Sequence, residues 1–186
     1  KDELGRETLD CGGCRVFAVA DHQVAHIYIN DDVIRDEVIE LLEGIKGVEE
    51  GRVAAEMWGE GVATERAGDL IAVAASDAWF TYYYWEDDNK APDFARCIDI
   101  HRKPGYDPVE LFVDPKIAFP KLKIAWFLLR KKLGFRALLD VIALDANLVK
   151  GSHGRDKVPE SEQPVFISGT VRISSVDEVN KAICEL

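Results

Sequence analysis

The sequence predicts an α/β fold. Three observations carry the prediction: a β-branched and aromatic run at 15–29, an amphipathic stretch at 31–44, and short apolar runs at 70–74 and 164–168 separated by helical patterns. Residues 15–29, RVFAVADHQVAHIYI, suit one or two strands. As a single strand they would set His22 and His26 on the face of Tyr28, with Asp21 opposite. The next stretch opens on Asp31, places Val33, Ile34, Val38, Leu41 and Leu42 at helical spacing and stops at Gly44. A turn or edge strand at 47–50 and a short helix at 54–58 complete a small α+β layer closed by the strand 70–74.

Beyond it, the run from Trp79 to Trp85, WFTYYYW, reads as an aromatic strand or a ligand-lining segment. Turn formers dominate 86–115, which is expected to be a long ordered loop of the kind that carries function. A basic helix at 121–133, an apolar segment at 138–144, a glycine-flanked loop Gly151-Ser-His-Gly154, a short strand at 164–168 and a closing helix at 176–186 follow. With no linker or repeat, the chain is expected to form a single region over 1–186.

The 186 residues carry 34 acids against 23 Lys plus Arg, a net charge of −11, and are 47% apolar. That composition supports a packed core and argues against disorder. It also argues against nucleic acid as a partner, since a polyanion would be repelled. Charge is segregated, however: between Pro115 and Leu139 there is no acid, while Lys116, Lys121, Lys123, Arg130, Lys131, Lys132 and Arg136 supply seven bases. This helix is expected to be a solvated face packed by Ile124, Trp126, Phe127 and Leu128, with phosphate or anionic lipid as the alternative partner. No apolar run is long enough to span a bilayer.

The four cysteines are too sparse for a disulfide scaffold and fit a reducing, cytoplasmic location. Cys11-Gly-Gly-Cys14 followed by His22 and His26 raises a Cys2His2 zinc module, but the gap between the pairs is short for one. The other scarce chemical groups are His101, beside Asp99 and Arg102, and His153, whose flanking glycines let backbone approach a ligand. Asp21-His22 offers adjacent oxygen and nitrogen donors suited to zinc or manganese.

The block GDLIAVAASDAWFTYYYWEDDNKAPDFARCIDIHRKPGYDPVELF, with LVKGSHGR and PVFIS after it, resembles the C-terminal part of the alkaline phosphatase superfamily, in its type I phosphodiesterase/nucleotide pyrophosphatase branch. The resemblance runs from about Arg15 to Ser168. It implies an α/β/α sandwich whose small α+β insertion would occupy about 15–75, with a return to the main sheet over about 138–186. It further implies a metal-dependent hydrolase of phosphodiester or nucleotide pyrophosphate bonds, using divalent metal, zinc or alternatively manganese, in a two-metal mechanism.

In that family a late His-Gly before a final strand binds metal, which implies His153 as a ligand. Asp21 and His22 match an Asp-His-Gly element in two of its three residues, with Gln23 in place of glycine. His101, Arg102 and Tyr83 are the implied substrate contacts to a small phosphate ester. The family's Ser or Thr nucleophile has no counterpart here. The sequence also lacks an initiator Met, its sole methionine being Met57. The expectation is therefore a C-terminal fragment completed by an N-terminal half of the same protein. The rival expectation is a non-catalytic binding or assembly domain built on that fold.

Overall fold

The computed structural model describes residues 1–58, 66–98, 103, 105–155, 157–169, 171–173 and 178–184. Two compact units emerge, Lys1–Arg155 and Asp156–Leu186.

The first unit is built on a five-stranded sheet. Strands β1 (Val16–Asp21) and β2 (Val24–Ile29) form a hairpin in which Asp21 pairs with Val24, so His22 and Gln23 alone make the turn. The expected 15–29 run is thus two strands, and His22 leaves the face that His26 and Tyr28 share. An Asp31-capped 3-10 turn at Asp32–Ile34 leads into helix α1 (Arg35–Gly44), then edge strand β3 (Val48–Val53), the short helix α2 (Ala54–Trp58) and strand β4 (Leu70–Ala74). The order is β3-β4-β2-β1-β5, with β5 (Gly105–Tyr106) pairing parallel to β1 and every other pairing antiparallel. The described fold is therefore α+β. An α/β sheet would be built on parallel strands, and here only a two-residue pairing is parallel.

Burial explains the strand patterns. Every residue of β4 is buried, because α1 covers one face and α2 the other. A strand covered on both sides needs no polar alternation, hence the unbroken LIAVA. Ala25, Ile27, Leu70 and Ala72 meet Ile34, Val38 and Leu42 beneath α1, while Ile71 and Val73 meet Val24 and Met57 on the opposite face. Val33 and Leu41, expected on the core stripe, are exposed: Val33 belongs to the 3-10 turn before α1, which breaks the α-helical spacing, and α1 buries only Val38 and Leu42.

The aromatic run is not a strand. Tyr82 and Trp85 are buried with Ala95 in a cluster of edge-on and stacked rings. The 86–115 loop is ordered as expected, with a 3-10 turn at Pro108–Leu111 capped by Asp107. Buried Lys103 pairs with Glu110 beside it and lies 5.4 Å above the Tyr82 ring. Helix α3 (Pro120–Lys132) follows and has no buried residue. Ile124 alone packs on the Val109, Val141, Ile142 cluster, whereas Trp126 and Leu128 are exposed, contrary to expectation. The apolar segment at 138–144 makes isolated bridges, Cys97 with Asp140 and Val113 with Ile142.

The second unit holds a 3-10 turn at Glu160–Glu162 and helix α4 (Glu178–Cys184). Residues 164–168 have no ladder partner among the described residues, and Val165 and Ile167 are exposed, so the expected strand does not form there. No helix among the described residues is long and apolar enough to cross a membrane.

Candidate functional site

The hairpin turn between β1 and β2 has only two residues. His22, the first, has φ of 55°, whereas Gln23 does not have positive φ. That is the pattern of a type II′ turn, whose first position favours glycine because a Cβ there crowds the backbone. A histidine held in this conformation is strained, and such strain persists only where surrounding contacts fix it.

Those contacts come from the Gly151–Gly154 loop and the exit of β4. The Gln23 N–H donates to the His153 carbonyl at 3.0 Å, and the Gln23 carbonyl accepts from the Ala74 N–H at 2.9 Å. The buried Gln23 side-chain amide donates to the carbonyls of Ala78 and Ala75 at 2.9 and 3.3 Å. Phe80 N–H, at the head of the aromatic run, donates to the His22 carbonyl at 2.8 Å. Gly154 has φ of 121° and lies so close to the turn that a Cβ would sit 3.4 Å from the Gln23 nitrogen. Arg155 closes the loop with a 2.6 Å ion pair to Glu49 and a 3.5 Å contact to the Ala74 carbonyl.

The result is that the imidazoles of His22 and His153 stack with centroids 3.9 Å apart and planes 30° from parallel. His22 Nδ1 lies 3.0 Å from Ser152 Oγ. Burial holds His22 below its ordinary pKa, and the neighbouring His153 reinforces this against the opposing charge of Asp21. Two stacked rings cannot both be charged cheaply. With the proton on Nδ1 and donated to Ser152, the His22 Nε2 lone pair is left as a donor to an electrophile or metal.

Among the expected metal ligands, the structure brings His22 and His153 together, with exposed Asp21 beside His22 at the end of β1. Among the described residues, no group of three or more His, Cys, Asp or Glu is arranged to hold a metal ion. The four residues of the Cys2His2 alternative are not gathered: His26 Nδ1 accepts the Gly68 N–H at 3.1 Å, and Asn30 Nδ2 donates to the Cys11 and Cys14 carbonyls.

His101 and Arg102 lie outside the described residues. Tyr83 belongs to the aromatic cluster, stacked on Trp85, and its hydroxyl donates to buried Asp107 at 3.4 Å. Burial and the Asp107 charge push its phenol up. Sequence reasoning did not single out Gln23 or Ser152, which fix the pair. The two-residue gap between apolar runs at Asp21 and Val24 was the available signal for the turn.

The chain matches no protein-family model, and no curated protein matches it.

Proposed function

We propose that the chain is the C-terminal part of a metal-dependent hydrolase of phosphodiester or nucleotide pyrophosphate bonds, of the alkaline-phosphatase-like type I phosphodiesterase branch. Its α+β layer would be an insertion in a larger α/β/α sandwich, and the protein would act in the cytoplasm. The observation that carries the reading is the stack of His22 on His153, two imidazoles from segments far apart in the chain meeting at a strained turn.

The donor types gathered here, two imidazoles and a carboxylate, are those that suit a divalent metal such as zinc or manganese. His22, His153 and Asp21 would supply donors to it once the two rings leave their stack, since lone pairs lying in two nearly parallel ring planes do not meet at one ion. When bound, zinc or manganese would stabilise the negative charge that develops on the phosphoryl oxygens. Ser152 would orient the His22 ring by accepting its Nδ1 proton. Gln23 would keep the two histidines in register by bonding the loop to the turn. The attacking Ser or Thr hydroxyl and the remaining ligands are assigned to a segment outside these 186 residues.

The test compares zinc- or manganese-supported hydrolysis of a chromogenic phosphodiester by the protein carrying this chain, wild type against His153→Ala. A loss of at least about 10–100-fold is expected, the cost of removing even a residue that only supports a metal ligand. Equal rates would remove His153 from the site.

One observation favours the alternative, a binding domain without turnover. Arg6, Arg96, Arg130 and Arg136 line a cavity of about 730 Å³ together with Asp88, Asp93 and Asp140, a surplus of one positive charge. Asp93 pairs with Arg136 at 2.9 Å and Arg6 at 3.4 Å, leaving Arg96 and Arg130 without a carboxylate partner among the described residues. Guanidinium groups so placed suit a phosphate or carboxylate. Anion binding that survives His153→Ala and is lost in Arg96→Ala, with no hydrolysis in either protein, would favour this reading.

A further inference from the structure

Helix α3 is attached to the body along one side only, through Ile124 and through Lys123, whose Nζ lies 3.0 Å from Asp140 Oδ2. Its other side is apolar and uncovered. Leu122, Trp126, Leu129 and, at the C-cap, Leu133 are 68%, 61%, 46% and 63% exposed. Their spacing of four, three and four residues places them in one stripe on a helix of 3.6 residues per turn. Phe119 and Phe135, 71% and 61% exposed, extend the apolar surface beyond each end.

The same geometry sorts the charges. Lys121 and Lys132 flank the stripe on one side; on the other lie Arg130, which also donates to the Arg136 carbonyl, and Lys123, which is held by Asp140, and no acid occurs from 115 to 139. A stripe of Leu and Trp bordered by bases on both sides is the pattern of a helix lying in the plane of a lipid interface. The apolar side chains enter the acyl boundary, and the lysine stems reach back to the headgroups. A second copy of this chain would set basic flanks against basic flanks, which opposes pairing through this face.

We infer that α3 docks the protein peripherally on a membrane rich in anionic lipid. The inference stands apart from the phosphodiesterase reading and uses none of its residues. The acidic remainder of the chain would be repelled by the same surface, so docking would take one orientation, with α3 down, and weaken with salt.

The test is sedimentation of the chain with vesicles of phosphatidylserine and phosphatidylcholine in equal parts, and with vesicles of phosphatidylcholine alone. The chain is expected to sediment with the mixed vesicles at low ionic strength and to remain in solution with the neutral ones. Each base near such a surface contributes about fivefold in affinity, so Lys121→Glu with Lys132→Glu should cost at least about 25-fold. Leu129→Asn should weaken binding while circular dichroism stays unchanged, since the side chain is largely exposed. Three results would overturn the inference: no binding to mixed vesicles, equal binding to neutral ones, or a dimer in analytical ultracentrifugation that Leu129→Asn dissolves.

Discussion

Replacing His22 by glycine and, separately, by alanine divides the strain of the hairpin turn from the chemistry of the imidazole. Both variants lose the Nδ1 contact to Ser152 and the stack on His153, and the hydrogen bond alone is worth about 0.5–1.5 kcal/mol. Alanine keeps a Cβ at φ near 55°, a conformation costing about 1–2 kcal/mol for a residue with a side chain. Against this, alanine gains about 0.4–1 kcal/mol over glycine from its narrower unfolded ensemble. At the middle of both ranges the balance favours glycine by about 0.8 kcal/mol, the reverse of the order at ordinary positions, where glycine is the worse residue by a similar amount. Urea unfolding followed by circular dichroism measures the difference, provided the two variants share one slope. His22→Ala as stable as His22→Gly, or more so, would refute the argument that the turn stores strain.

Three further outcomes follow from other parts of the molecule. In the metal-free chain, His22 is held below its ordinary 6.5, so its stabilising contribution is present above that value and is lost as pH falls toward the lower folded-state value. Histidine NMR titration should show it charging after the unfolded reference would. At the alkaline end, burial pushes the Tyr82 and Tyr83 phenols above their ordinary 10.0, so their contribution is intact below that pH and is lost above it. Near-ultraviolet absorbance should show both ionising together with loss of structure, and early, separate ionisation would contradict their burial. Gly68→Ala would place a Cβ 2.6 Å from the Ile27 nitrogen and disturb the Gly68 bond to His26, so thermal unfolding should reveal a loss of about 2–4 kcal/mol.

The small layer was largely legible because its signals are local. Asp31 caps where an Asp should, and β4 reads as a buried run because both of its faces are covered. The hairpin was harder to see, since His22-Gln23 lacks the Asn-Gly or Asp-Gly chemistry that marks such turns. Its geometry is imposed from outside, by Gln23 bonding to the loop and to the β4 exit. The WFTYYYW run misled for a related reason. Aromatic residues favour strands, yet these rings are satisfied by one another and by Asp88, with Trp85 Nε1 donating at 2.8 Å. Residues 164–168 have strand composition but no ladder among the described residues, and composition alone cannot supply one. The candidate site was half legible: His153 and His22 were singled out separately, but their meeting depends on Ser152 and Gln23, whose roles only the fold defines.

The separation of His22 from Ser152 and His153 along the chain has a kinetic side. The contact closes a loop of 130 residues, and a closure that long is reached only after local structure has shortened the effective path. The β1–β2 hairpin joins neighbouring residues, whereas the stacked imidazoles join segments from opposite ends of the first unit and carry the larger closure cost. A ring-current shift on either histidine would therefore report that the β1–β2 turn and the Gly151–Gly154 loop have met, which neither segment can signal by itself.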